Sequence, residues 1–443
     1  MKNHAGQSAV LQHEVAKGGQ YKGILLGLLA FIIFEYIRFG VWIPVLEPLH
    51  LQRIIAIATL LVFAIFFKRR IYHPYTLLIF LAIIVVSTFV NIDNLSKARA
   101  LTFFTTIIKI IAIYYLISNL LFTRDNIRKF ITVFLSANIV LVFLGVLSGG
   151  SEGELSKGLL VGGFASDSND YALAINIVIP FFWYLYTASK GWYSKAVFSS
   201  AFLLCIISVV FTFSRGGFLS LSAILFLIII ISKRRVKNLI LLVLLLLISY
   251  SFIPSSYWED METISKYSEK DSRSTSQIRL NLWKIGLVMI AENPVFGVGP
   301  FNSAYQVVEY GRKIIPDARE LHFLSGRFLH NTFISVASEL GIPGLICFLT
   351  LIVMAYRNAV FTIKKMESEE IPKDDFLYAL AQAIKVSLIG YCVSSIFLTT
   401  YHYPHIYLLG ALAFALKLNA TEMANRVLPE NQPSMILLNN QVK

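Results

Sequence analysis

Charge is scarce in this sequence. Only 15% of its 443 residues are charged, against 56% that are hydrophobic, and the mean hydropathy is +0.67. Soluble domains carry about 25% charged residues, so a water-soluble fold is excluded. Cysteine is scarcer still. Cys205, Cys347 and Cys392 lie in apolar runs without CxxC spacing, which excludes a disulfide framework and a thiolate metal site and leaves small apolar packing residues. No Walker loop, GxGxxG, HExxH or DxD occurs, and the last absence argues against a metal-bound nucleotide sugar as substrate. Acidic residues are the rarer sign, 26 against 39 basic, for a net charge of +13. That surplus follows the apolar runs rather than forming one basic face, so no nucleic-acid partner is expected.

Apolar runs are what the chain has in abundance. Crossing a hydrocarbon core of ~30 Å takes about 20 apolar residues in a helix. A membrane β-barrel would instead alternate apolar and polar residues. The runs predict an all-α integral membrane protein with about twelve spans, near 21–46, 52–67, 75–91, 101–121, 130–149, 171–188, 195–213, 217–232, 238–253, 330–356, 376–400 and 404–419. Residues 1–20 are polar and read as an N-terminal tail, with residues 420–443 as its C-terminal counterpart. The first apolar run is long enough to stay in the membrane, so no cleavable signal peptide is expected.

With the N-terminus inside, sixteen lysines and arginines fall on the inner loops and their edges and five on the short outer loops. The positive-inside rule then places both tails in the cytoplasm. Residues 254–329, between spans nine and ten, become a long periplasmic loop. Ile278, Leu282, Ile285 and Met289 recur there at helical spacing and predict an amphipathic helix lying on the membrane or the bundle. Such a loop reads as a partly helical lid over an outward-facing cavity, or as an exported loop of no special role.

The most specific local pattern is His330-Asn331, nine residues, then Gly341-Ile342-Pro343-Gly344. Eleven residues at 100° each bring Gly341 to within about 20° of His330 on a continuous helix, and Gly344 shares the stripe. Small residues there would admit a neighbouring helix, and Pro343 would kink the span. A histidine at a membrane mouth suits general-base chemistry on a sugar hydroxyl; it also suits an interfacial hydrogen bond to lipid or backbone. Arg215, in the tight turn Ser214-Arg215-Gly216-Gly217, can offer a bidentate fork to phosphate oxygens or snorkel. Arg279 lies on the predicted loop helix with Trp283 one turn on as a candidate interface anchor, and a solvated surface role fits it equally. Asn169 and Asp170, at the start of span six, are candidates for glycan hydroxyls, while Asp167 and Ser168 read as helix caps. Tyr401-His402-Tyr403-Pro404-His405 reads as an interfacial aromatic belt. Glu35, Arg38, Lys109, Glu339 and Lys385 fall within spans and should face the bundle interior in pairs, Glu35 and Arg38 within one helix.

Taken together, Ser214-Arg215-Gly216-Gly217, Arg279 with Trp283, and His330-Asn331 with Gly341 and Gly344 resemble the O-antigen ligase family, which also includes polysaccharide polymerases and protein glycan transferases. Asp167-Ser168-Asn169-Asp170-Tyr171-Ala172 is similar to the family's outer segment as well. The resemblance implies a metal-independent, inverting glycosyltransferase without cofactor at the periplasmic face of the inner membrane. It would move a glycan from undecaprenyl diphosphate to an acceptor hydroxyl, on lipid A core for a ligase or on another lipid-linked glycan for a polymerase. His330 would be the base, and Arg215 and Arg279 would hold the diphosphate. A transporter that moves the lipid-linked glycan without bond making is the remaining class.

Overall fold

The computed structural model describes residues 21–69, 71–94, 97–148, 168–232 and 275–427. The expected span 238–253, the first part of the long loop and both extreme tails lie outside the described residues. Described residues form helices and no strand. In chain order the main helices are α1 (Lys22–Ile37), α2 (Leu51–Phe66), α3 (Tyr75–Val90), α4 (Lys97–Leu120), α5 (Arg124–Ser148), α6 (Ser168–Ala188) and α7 (Trp192–Val210). They continue as α8 (Arg215–Ile231), α9 (Thr275–Glu292), α10 (Ser303–Gly311), α11 (Ala318–Leu324), α12 (Thr332–Ser368), α13 (Phe376–Ser395) and α14 (Pro404–Val427). Among the described residues, seven helical segments are long and apolar enough to cross a membrane, and three shorter apolar ones accompany them. The protein is thus a multi-pass helical membrane protein.

Burial sorts these helices into a centre and a rim. In α6, every residue from Asp170 to Phe182 is buried, and α13 and α14 are nearly as enclosed, whereas α2 and α7 expose most of their apolar surface. Apolar burial cannot by itself choose partners inside lipid, so polar groups do. Ser387 Oγ donates to the carbonyl of Ile177 (2.7 Å), Ser220 Oγ to that of Gly390 (2.8 Å), and Asn176 Nδ2 to that of Gly217 (2.9 Å). Each bond ties two helices where no water competes.

Two departures from the sequence expectation have local causes. The first span stops at Ile37 rather than residue 46; Arg38 takes a left-handed conformation (φ 54°), and a 3₁₀ segment, Pro44–Leu49, follows. A one-turn helix, Phe39–Trp42, lies between, and Pro44 and Pro48, which lack the N–H a helix needs and crowd the preceding turn, keep the chain from resuming a regular α-helix there. Glu35 then pairs across helices with Lys109 of α4 at 2.9 Å, and Arg38 lies past the helix end instead of on its face. The second departure concerns α12, whose 37 residues run past the expected end to Ser368 and break at Gly341 (φ 72°, ψ −179°).

That break is filled by the loop between α9 and α10. Pro343 has no N–H to offer Glu339, and Ile342 N turns away from Ser338 to bond the carbonyl of Pro294 (2.8 Å). The two orphaned carbonyls are satisfied by the loop: Val298 N donates to Ser338 O (2.8 Å) and Gly299 N to Glu339 O (3.1 Å). Ser87 Oγ of α3 adds bonds to Phe296 O (2.7 Å) and Glu339 O (3.0 Å). Irregular backbone at a membrane helix is tolerated where the protein re-satisfies it.

Beyond the break, α9, α10 and α11 build a small cap with its own core. Leu282, Ile285 and Met289 of α9 are fully buried against Val307, Leu321 and Leu324, with Ile278 partly buried beside them. The apolar face of α9 therefore packs on protein, including Leu329 and Ile334 at the start of α12.

Gly341 and Gly297 are the residues this junction cannot replace. A Cβ on Gly341 would stand 2.2 Å from Val295 O, and one on Gly297 (φ 65°) would stand 2.3 Å from the Glu339 carbonyl carbon. Gly341→Ala and Gly297→Ala should each cost at least about 1–3 kcal/mol from the left-handed conformation, before the clash is counted. Thermal unfolding in detergent should show a clear drop for both and almost none for Gly23→Ala, where an added Cβ meets nothing within 4 Å. A Gly341→Ala protein that melts with wild type would contradict this account of the break.

Candidate active site

Four helices begin at one end of the bundle, and side chains near their starts bond one to the next. Ser214 caps α8 by accepting from Gly217 N (2.9 Å), and its hydroxyl donates to Asn169 Oδ1 at the start of α6 (2.7 Å). Next to it, Asp170 Oδ2 accepts from Tyr403 OH (2.9 Å), one residue before α14 begins at Pro404. On the same turn, Thr400 Oγ1 lies 2.9 Å from Thr332 Oγ1, the first residue of α12, and Thr332 Oγ1 donates to Leu398 O (2.7 Å). The starts of α6, α8, α12 and α14 are thereby locked together. A helix start carries about half a positive charge, so this end of the bundle favours an anion.

Arg215 is the first residue of α8 and is exposed at that face, in no ion pair among the described residues. His330 stands immediately before the cap of α12, half-buried and in the left-handed region (φ 50°), a conformation that a non-glycine residue adopts only when its surroundings hold it there. Asn331 is buried, and its Oδ1 accepts from Phe333 N and Ile334 N, both at 3.0 Å, so its oxygen is committed to capping α12. The frame thus joins Asn169, Asp170, Arg215 and the turn carrying His330.

Arg279 and Trp283 sit on α9, half-buried, one turn apart. Gly286, further along that helix, lies where an added Cβ would come within 2.6 Å of Ile334 on α12, which fixes α9 across the first turns of the His330 helix. Trp283 Nε1 is buried with no hydrogen-bond partner among the described residues. Gly341 and Gly344 do not form the expected groove for a neighbouring helix. The continuous stripe is interrupted at Gly341, and the backbone that approaches there belongs to Pro294 and Val295 of the loop.

Three features at this end escape periodicity. Glu339, nine residues after His330, is buried and receives Phe301 N (2.9 Å), Ser303 Oγ (2.5 Å) and the Tyr401 hydroxyl; among the described residues no cation pairs with it. The Tyr401–Tyr403 turn is built inward instead of forming only a belt: Tyr401 is buried, its ring stacks on Phe301 (centroids 5.9 Å), and burial and the Glu339 carboxylate push its hydroxyl well above the usual tyrosine range. His402 is ringed by Phe301, Tyr401 and Tyr403, and burial, with the charge of Lys109 adding, pushes its pKa down to about 3. That environment favours the neutral imidazole. The sequence signals were the isolated span carboxylate and the Tyr-His-Tyr-Pro-His run; neither names its partners.

Residues 200–349 match the family model described as O-Antigen ligase. The matched third of the chain runs from α7 through the cap and past Gly341, and so contains Arg215, Arg279, Trp283, His330, Asn331 and Glu339. Asn169, Asp170 and the Tyr401–His405 run fall outside it. No curated protein matches the chain. The match supports the O-antigen ligase family, and with it a ligase- or polymerase-like membrane enzyme acting on lipid-linked glycans.

Glu339 offers the sharpest test of this architecture. Glu339→Gln keeps the shape but turns an N–H₂ toward one of three donors, leaving buried polar groups mismatched at about 1–3 kcal/mol. Unfolding temperature should fall, and transfer should fall further than stability does, because residues 299–303 and Tyr401 lose their common anchor. Wild-type melting and transfer in Glu339→Gln would show that the carboxylate is dispensable.

Proposed function

We propose that this O-antigen ligase-like protein transfers a glycan from undecaprenyl diphosphate to an acceptor hydroxyl of lipid A core, at the periplasmic face of the bacterial inner membrane. The observation that carries the proposal is the hydrogen-bonded convergence of four helix starts, with Arg215 first in α8 and His330 directly before the cap of α12. This end of the bundle is the one with fewer lysines and arginines in its short loops, which orients it to the periplasm.

In the reaction, His330 takes the proton of the acceptor hydroxyl as its oxygen attacks the anomeric carbon. The carbon–oxygen bond to the diphosphate breaks on the opposite face, the configuration inverts, and the diphosphate leaves with the electron pair. Arg215 and Arg279 meet that charge, supported by the helix starts. Permanent cations of this kind serve a departing diphosphate without a metal ion. Asn169 and Asp170, held by Ser214 and Tyr403, form the wall next to Arg215 against which the donor's first sugars lie.

General-base catalysis is worth about 10² to 10⁴ in rate, so His330→Gln should lower transfer by that factor with purified donor and acceptor while the protein still inserts. Arg215→Lys and Arg279→Lys keep the charge but lose the two-pronged fork, and both should transfer slowly. Normal rates in the glutamine variant would remove His330 from the chemistry.

The lipopolysaccharide pattern of a deletion strain separates ligase from polymerase. Loss of the whole ladder, with lipid-linked polymer accumulating, is the expected result. Core bearing a single repeat would instead assign the protein as the polymerase acting on the same donor.

A further inference from the structure

The opposite end of the bundle carries a feature that glycan transfer does not use. Between α5 and α7, floored by the C-terminal half of α6, runs an open groove of about 1170 Å³. Its α5 wall comprises Arg128, Ile131, Leu135, Ile139 and Phe143, three or four residues apart and therefore one helix face. From Arg128 to Phe143 the helix rises about 22 Å, more than half of a ~30 Å hydrocarbon core. Val197, Ala201 and Leu204 of α7 form the facing wall, and Phe182 and Leu185 the floor. The shaft is largely apolar, with the hydroxyl side chains of Thr132, Ser136 and Ser200 among its lining.

The mouth is not. Arg124, Arg128 and Lys190 line it together with Asp374. Arg124 is paired with Asp375 at 2.8 Å and Lys190 with Asp374 at 3.3 Å. Arg128 lies over the Phe376 ring (5.4 Å to its centroid) and has no carboxylate partner among the described residues. Three cations thus face two carboxylates, and one positive charge is left at the headgroup level, where the exposed rings of Trp192 and Tyr193 also sit.

We infer that this groove binds one anionic diacyl phospholipid of the surrounding bilayer, its phosphate at Arg128 and Lys190 and its acyl chains along the shaft. The single surplus charge matches a phosphodiester monoanion. A polyprenyl diphosphate would bring two or more negative charges to a mouth that already holds two carboxylates. Depth and apolar walls account for the chains, and the cations account for selection among headgroups.

Native mass spectrometry of the detergent-purified protein, offered equal amounts of phosphatidylglycerol and phosphatidylcholine of the same chain length, tests this. Wild type should retain one phosphatidylglycerol in preference by about fivefold, as one surplus cation near a membrane surface supplies at about 1 kcal/mol. The Arg128→Gln, Lys190→Gln double variant should lose the preference. Ala201→Trp, which fills the shaft and leaves the cations, should lose retention altogether. Equal retention of the two lipids by wild type, an unchanged preference in the double variant, or retention by Ala201→Trp would each overturn the proposal. Should a variant fail to fold, titration of wild type decides: its unfolding temperature should rise with phosphatidylglycerol and not with phosphatidylcholine, and an equal rise with both, or with undecaprenyl phosphate, would overturn it.

Discussion

The rest of the structure depends on how a membrane helix can be cut without leaving its backbone unsatisfied. In hydrocarbon an unpaired carbonyl costs several kcal/mol, so a break at Gly341 survives only if new donors replace those it removes. Val298 N, Gly299 N and Ser87 Oγ are those donors, and Pro294 O receives the N–H of Ile342. The exchange holds the cap on the bundle by backbone hydrogen bonds, a far more definite attachment than apolar contact between a loop and a helix. It also brings Phe301 and Ser303 within reach of the Glu339 carboxylate, and through Glu339 connects the cap to Tyr401. Cap, broken helix and the Tyr401 turn are one mechanical unit as a result.

Local signals in the sequence proved legible where the cause is local. Apolar runs placed most of the helices described, and spacing alone identified the face of α9 that is buried, because Ile278, Leu282, Ile285 and Met289 answer to the helix's own geometry. Pro44 and Pro48 could have barred continuous helix beyond about residue 42 from sequence, since the physics of a proline in a helix needs no partner, whereas nothing local marks the earlier break at Arg38. What could not be read is pairing over distance. Nothing near Glu35 in the sequence points to Lys109, and nothing near Gly341 points to Pro294. The glycines there were readable as special, but as a stripe for another helix; their real neighbour is a loop, whose backbone has no periodicity to betray it. Glu339 was visible as an expensive charge, whereas its three neutral donors come from a loop and a turn far away in sequence.

Electrostatics distinguish which cations remain available at the end where the four helices start. Lys109 is taken by Glu35, and His402 is kept neutral by its ring of aromatics and by Lys109 itself. The Asp170 carboxylate accepts from a tyrosine instead of pairing with Arg215. Each arrangement spares Arg215 a competing partner. An exposed arginine at a helix start is worth little to stability, and among the described residues no carboxylate pairs with this one, which is what the proposed diphosphate role requires.

Helix α6 links the two ends. Asn169 and Asp170 begin it, and Phe182 and Leu185, about 20 Å further along, floor the groove whose mouth holds Arg128. Between them nearly every side chain is buried and interior packing leaves few voids, so even across Pro180 a displacement of one half is passed to the other. Whatever presses on its lower half therefore bears on the position of Asn169 and Asp170, and through Ser214 on the turn that carries Arg215. A lipid seated in the groove would supply the apolar contact that α5 and α7 leave open there. The bilayer would then complete the core of the protein at the end remote from the four joined helix starts, and help hold those starts in register.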